Sequence, residues 1–166
     1  MRKRENMTRE LQEKLESYQR VWAEVDLDAI RENMVHMKEN IAENTKILAV
    51  IKTDGYGHGG VPIAKMLEQL DFMFGYAAAT YEEAHVLREA GVKKPILILG
   101  YTFPYCYEEL IREEIRPAVY RRDTVEELAA AAAKVGQKAK VHIKVDTGMG
   151  RIGITPDDEG LDFVKF

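Results

Sequence analysis

Five apolar runs recur along the chain at a nearly constant pitch, and this rhythm limits the fold more than any other feature. They begin at Ile47 (ILAVIK), Phe72 (FMFGYAA), Ile96 (ILILG), Arg116 (RPAVY) and Val141 (VHIKV), twenty to twenty-five residues apart. Each run has strand length, and each gap can hold a helix with two turns. Val61, Ala64 and Leu67 form an apolar stripe at helical spacing in the first gap, and Val125, Leu128, Ala129 and Ala132 form another in the fourth. Thr80 with Glu83, and Thr124 with Glu127, fit the capping-box pattern of a helix start. Gly91 and Gly136 stand where helix C-caps belong. Strands alternating with helices in this way build right-handed βαβ units around a parallel sheet.

Such units close either into an open doubly wound sheet or into a barrel. The segment GYGHGG places its glycines at 55, 57, 59 and 60, which is not the G-x-G-x-x-G order of a dinucleotide-binding turn. On this ground both architectures stay open; in the second case the fold is an α/β (β/α)8 TIM barrel, of which the chain would hold the first five or so βα units. A complete barrel takes typically about 250 residues, whereas this chain has 166. Its last segment, TPDDEGLDFVKF, reads as the start of a sixth helix. An unclosed barrel leaves sheet edges unpaired, so the chain is expected to be truncated. Ahead of the rhythm, residues 1–20 read as a charged extension. VWAEVDL (21–27) alternates like a half-buried strand, and Asp28 is placed to cap a helix running to about Asn44. The expected boundaries are thus 1–20 for the extension and 21–166 for the barrel portion.

The formal net charge of −4 gives no reason to expect nucleic acid or an anionic membrane as partner. Cys106 is the single cysteine, so the chain cannot form an internal disulfide, which suits a reducing, cytoplasmic setting. His36 and His58 belong to no His-x-x-x-His pair, and no metal is expected. Tyr101, Tyr105 and Tyr107 are expected to pack around a helix start.

In a barrel the C-terminal ends of the strands face the active-site mouth. Lys52 stands there, after five apolar residues. An amine in apolar surroundings loses proton affinity, because desolvation disfavours the cation. The neutral amine can then attack a carbonyl carbon and form a Schiff base. The second unusual run is KVHIKVDTGMGRIG, residues 140–153. Val141, Ile143 and Val145 share one face, while His142, Lys144 and Asp146 share the other. In a parallel barrel strand these three ionisable residues point inward and need partners. Asp146 is placed to pair with a cation, and the turn after it brings Arg151 near the mouth. Gly148, Gly150 and Gly153 let that loop approach a ligand closely.

Taken together, AVIKTDGYGHG (49–59) and HIKVDTGMGRIG (142–153) resemble two motifs of the alanine racemase family, and WAEVDLDAIREN (22–33) resembles its usual opening. Related pyridoxal 5'-phosphate (PLP) barrels carry the lysine but lack the Tyr-Gly-His-Gly that follows it here. The resemblance implies that Lys52 carries PLP and acts as a base on one face of the substrate α-carbon. It implies that Tyr56 lies near the cofactor phosphate. Arg151 would donate to the cofactor phenolic oxygen and hold the substrate carboxylate, and Lys144 would be a carbamylated residue orienting Arg151. Thr53 and Gly55 depart mildly from the alanines common in the family. The implied fold is the (β/α)8 TIM barrel, and the implied activity is interconversion of L- and D-alanine for peptidoglycan precursors, in a cytoplasmic homodimer. A serine or broad-specificity racemase and a non-catalytic PLP-binding fragment are the alternatives. The second base is a tyrosine of the partner's C-terminal domain in that family, so these 166 residues alone are expected to be inactive.

Overall fold

The computed structural model describes Tyr18 and residues 21–166, and the expected extension falls almost wholly outside those residues. Five strands form one parallel sheet in sequence order: β1 (Ile47–Val50), β2 (Met73–Ala78), β3 (Ile96–Ile98), β4 (Ile115–Val119) and β5 (His142–Ile143). Each strand begins within one residue of its expected position. The helices are α1 (Leu27–Glu39), α2 (Gly60–Leu67), α3 (Tyr81–Glu89), α4 (Tyr107–Arg112), α5 (Arg122–Val135) and α6 (Asp158–Lys165), with a 3-10 turn at Pro104–Cys106. Sequential parallel neighbours joined by helices make a half-barrel, the front part of a TIM barrel.

The core lies between the sheet and its helices. Ile96, Ile98 and Ile115 of the strands meet Ala64, Leu67, Ala84, Leu87, Leu110 and Leu128 of the helices. Tyr76 is fully buried there, and its hydroxyl lies 2.8 Å from the Ala64 carbonyl and 2.9 Å from Glu68 Oε2. The opposite sheet face, the barrel interior, is open. Along β1 the outward Ile51 is 7% exposed and the inward Val50 is 42% exposed.

Several local expectations are corrected. Residues 21–26 form no strand. The cap of α1 is Asp26, whose carboxylate accepts from the Ala29 N–H at 2.9 Å. Asp28 lies inside the first turn, where it complements the helix dipole. The helix ends at Glu39, well before Asn44. Lys38 Nζ then donates to the carbonyls of Ala42, Glu43 and Thr45 and wraps the exit. Thr124 is no cap, because α5 already begins at Arg122 and buries Thr124 within it. Of the expected stripe on α5, Leu128 is buried and Val125 and Ala132 pack against the core, but Ala129 is exposed and Ala131 is buried instead. Of the three tyrosines near α4, Tyr107 is buried with its hydroxyl donating to Thr102 O at 3.0 Å, but Tyr105 is exposed and reaches Glu82.

Candidate functional site

β1 ends at Val50, and Lys52 opens a turn of unusual hand. Thr53 (φ 56, ψ 47), Asp54 (φ 52, ψ 48) and Gly55 (φ 63, ψ 38) all lie in the left-handed region, as does Tyr56 (φ 55). Non-glycine residues rarely go there, at a cost of about 1–2 kcal/mol each. Three of the four such residues among those described stand immediately after Lys52, and the fourth is Glu114. Gly55 is required for close approach as well as for its φ. A Cβ there would stand 3.0 Å from Ile63 Cδ1 and 3.3 Å from the Gly60 nitrogen.

Hydrogen bonds hold the turn. Gly55 N–H donates to Ile51 O at 2.8 Å, and Gly59 N–H donates to Asp54 O at 2.8 Å. Asp54 Oδ1 accepts from Gly60 N–H at 2.8 Å, which caps α2. His58 Nδ1 lies 3.1 Å from Gly55 O and 3.2 Å from Tyr56 O, a donor geometry that ties the ring to the turn. Glu83, the third residue of α3, reaches across: Oε1 accepts from Thr53 N–H at 2.9 Å and Oε2 from Ala79 N–H at 2.8 Å. The capping-box pattern had pointed to Glu83 as a partner of its own helix start. Only half of that box forms, with Thr80 Oγ1 accepting from the Glu83 N–H. The backbone of an adjacent strand end was not legible from the pattern.

The turn leaves Lys52 half-buried, with Nζ 5.9 Å from the centroid of the exposed Tyr56 ring, within cation–π reach. Lys52 stands two residues beyond the C-terminal end of β1, at the sheet's C-terminal rim.

The far edge of the sheet carries the second motif. In β5 and beyond, the expected alternation is present: His142, Lys144 and Asp146 are half-buried, while Val141, Ile143 and Val145 are exposed. Lys144 N–H donates to Val119 O at 2.9 Å, extending the ladder past Ile143. Ile154 N–H then donates to Lys144 O, and Asp146 N–H to Ile154 O, both at 2.8 Å, so residues 147–153 form a closed lobe. Inside the lobe Asp146 Oδ1 accepts from Gly148 N–H at 2.9 Å and Gly150 N–H at 3.1 Å. These bonds hold the Asp146 carboxyl below the usual carboxylate range. Asp146 thus organises the loop and makes no ion pair with Arg151, which is exposed on it. Gly148, Gly150 and Gly153 all take positive φ. A Cβ on Gly153 would stand 2.6 Å from the Asp146 nitrogen.

The alternation points to His142 as an inward residue needing a partner, but nothing in the sequence marks Arg116 and Phe74 as its neighbours. Arg116 of β4 lies over the Phe74 ring at 5.6 Å, and His142 meets the same ring edge-on at 6.5 Å. Burial, and then the nearby Arg116 charge, push the His142 imidazolium below its ordinary pKa.

The structure therefore brings together Lys52 with Tyr56 on one turn; Lys144 stands at the base of the lobe that carries Arg151, at the opposite edge of the sheet, and no contact joins their side chains. An amine, a phenol and a guanidinium on a rim, beside an open interior, can take an aldehyde and carry the negative charge of a phosphate or carboxylate.

Residues 25–166 match the family model described as alanine racemase, N-terminal domain. The chain belongs to that family. The alanine racemase of Desulforamulus reducens is 45% identical over 141 residues, which cover 85% of this chain and 38% of that protein. A solved alanine racemase family structure from Clostridium difficile, in complex with cycloserine, superposes with a TM-score of 0.84 at 40% identity, over 87% of this chain and 39% of that one. A histidine racemase from Leuconostoc mesenteroides superposes with a TM-score of 0.74 at 29% identity, over 82% of this chain and 36% of that one. The chain thus spans well under half the length of the alanine racemase family members it matches. No helix among the described residues is long and apolar enough to cross a membrane.

Proposed function

We propose that the chain is the lysine-bearing front portion of a PLP-dependent amino-acid racemase, with alanine as the substrate, acting in the cytoplasm as a homodimer. The observation that carries the reading is the strained, glycine-dependent turn that follows Lys52 at the barrel mouth. Strain of this kind persists where the surrounding structure fixes it, and it concentrates at active sites. The donor set fits PLP: an amine for the aldehyde and cationic or phenolic groups for its oxygens.

When bound, PLP acidifies the substrate α-carbon by acting as an electron sink. The residues of this chain do the remaining work on one side. Lys52 holds the cofactor and exchanges a proton with the α-carbon from its face. Tyr56 would help hold the cofactor phosphate. Arg151 would donate to its phenolic oxygen and to the substrate carboxylate. Addition of CO2 to the neutral Lys144 amine, with loss of one proton, gives an anion with two oxygens that can accept paired hydrogen bonds from Arg151. Proton transfer on the opposite face needs a base from outside these residues.

The histidine racemase superposes on the same portion at lower identity, so substrate choice is expected to lie elsewhere, and serine or broad specificity is the second reading. The test is α-proton exchange in D2O by the intact protein, with L-alanine, L-serine and L-histidine supplied separately. Deuterium at the α-carbon with loss of optical rotation, fastest for alanine, is expected. A PLP-loaded protein that deuterates none of the three would overturn the racemase reading.

A further inference from the structure

The geometry points to Glu83 as the positioning residue for Lys52, through a carboxylate clamp on the peptide that follows it; this rests on the reading that Lys52 carries the cofactor. Thr53 is the first left-handed residue of the turn, and its N–H donates to Glu83 Oε1 at 2.9 Å. The other backbone bonds of the turn start from Gly55, Gly57, His58 and Gly59, so none of them holds the Thr53 N–H. The peptide plane between Lys52 and Thr53 sets the direction in which the Lys52 side chain leaves the backbone. Its amide is fastened by Glu83.

The same carboxylate accepts from Ala79 N–H, directly after β2, at 2.8 Å. Glu83, thirty residues from Thr53 along the chain, therefore ties the lysine turn to the end of the neighbouring strand. Both bonds have an ionic acceptor and are stronger than neutral ones. Packing alone does not fix the turn. A cavity of about 180 Å³ lies behind it, lined by Ile51, Asp54, Gly60, Ala78, Glu83 and Leu87 among others. That space leaves room for the Lys52–Thr53 peptide to reorient once the clamp opens.

The test uses the intact protein and its Glu83→Gln and Glu83→Ala variants, freed of cofactor. Hydrogen exchange is read at the Thr53 amide, and at Val119 and Lys144, at the far edge of the sheet, as distant controls. PLP is then added, and its capture at Lys52 is followed by borohydride fixation and peptide mapping. Glu83→Ala is expected to speed Thr53 exchange and slow capture, each at least tenfold, with the controls unchanged. Glu83→Gln keeps one acceptor oxygen and the same shape, so it is expected to fall between the two and to report even if Glu83→Ala folds poorly. Unchanged Thr53 exchange in both variants would overturn the clamp. Faster exchange with unchanged capture would reduce Glu83 to a structural tie and overturn the positioning role. A wild-type protein that captures no PLP at Lys52 would overturn the functional reading and the positioning role with it. That failure is distinguishable, because Thr53 exchange is read without cofactor.

Discussion

Replacing Gly75 by alanine tests whether the half-barrel is set by strand approach at one point. Gly75 sits inside β2, opposite Leu48 of β1, while the Pro95 carbonyl crosses its other side just before β3. A Cβ there would stand 2.1 Å from Pro95 O and 2.9 Å from Pro95 C, inside any real contact distance. Relieving it needs a backbone shift of about 1 Å to restore van der Waals separation. The bond that resists this shift is Tyr76 N–H to Pro95 O at 2.9 Å. Overpacking of this kind costs typically about 1–3 kcal/mol, and a lost backbone bond about 1 kcal/mol. Alanine returns about 0.5–1 kcal/mol by stiffening the unfolded chain. The net local destabilisation is about 1–3.5 kcal/mol. Hydrogen exchange at Tyr76 in the intact protein should then rise by roughly five- to three-hundredfold, since about 1.4 kcal/mol is tenfold. Gly91→Ala is the control: φ is +90 but nothing lies within 4 Å, so it carries backbone strain without a clash. Gly75→Ala with Tyr76 protection within threefold of wild type would refute the steric argument.

Two predictions concern protons. Asp146 has a depressed folded-state pKa, so its loop bonds are present above the ordinary carboxylate range and are lost as pH falls through the folded value. The Gly148 and Gly150 amide resonances should therefore hold steady down to about pH 4 and move only below it, and Asp146→Asn should remove that movement; a transition near neutrality would contradict the assignment. His142 is also depressed, first by burial and then by Arg116, so it stays neutral as pH falls past the ordinary histidine value and opposes folding only below that. Its NMR midpoint should lie below about 6.5 and move up in Arg116→Gln, and a midpoint unmoved by that substitution would remove Arg116 as a cause.

The strand rhythm was legible because each buried run is apolar on the helix-facing side, and no other element could satisfy five such runs at that pitch. The alternation that leaves His142, Lys144 and Asp146 less exposed than Val141, Ile143 and Val145 was legible for the same reason, the strict period of a strand. Helix ends were less so. Asp26 and Asp28 are both cap residues by type, and only the folded backbone shows that Asp26 reaches the Ala29 N–H. The left-handed turn was half legible: glycines at 55, 57 and 59 signal positive φ, but Thr53, Asp54 and Tyr56 carry no such mark. Long-range acceptors were not legible at all. Glu83 looks like an ordinary first-turn glutamate until β2 brings Ala79 and Thr53 beside it.

The most direct test of the account is where the cofactor attaches. The intact protein is loaded with PLP, treated with borohydride and digested, and the modified peptide is sequenced by mass spectrometry. The account predicts a single pyridoxyl adduct on Lys52, absent after Lys52→Ala. An adduct on another lysine that persists in Lys52→Ala, or no adduct at all, would contradict it.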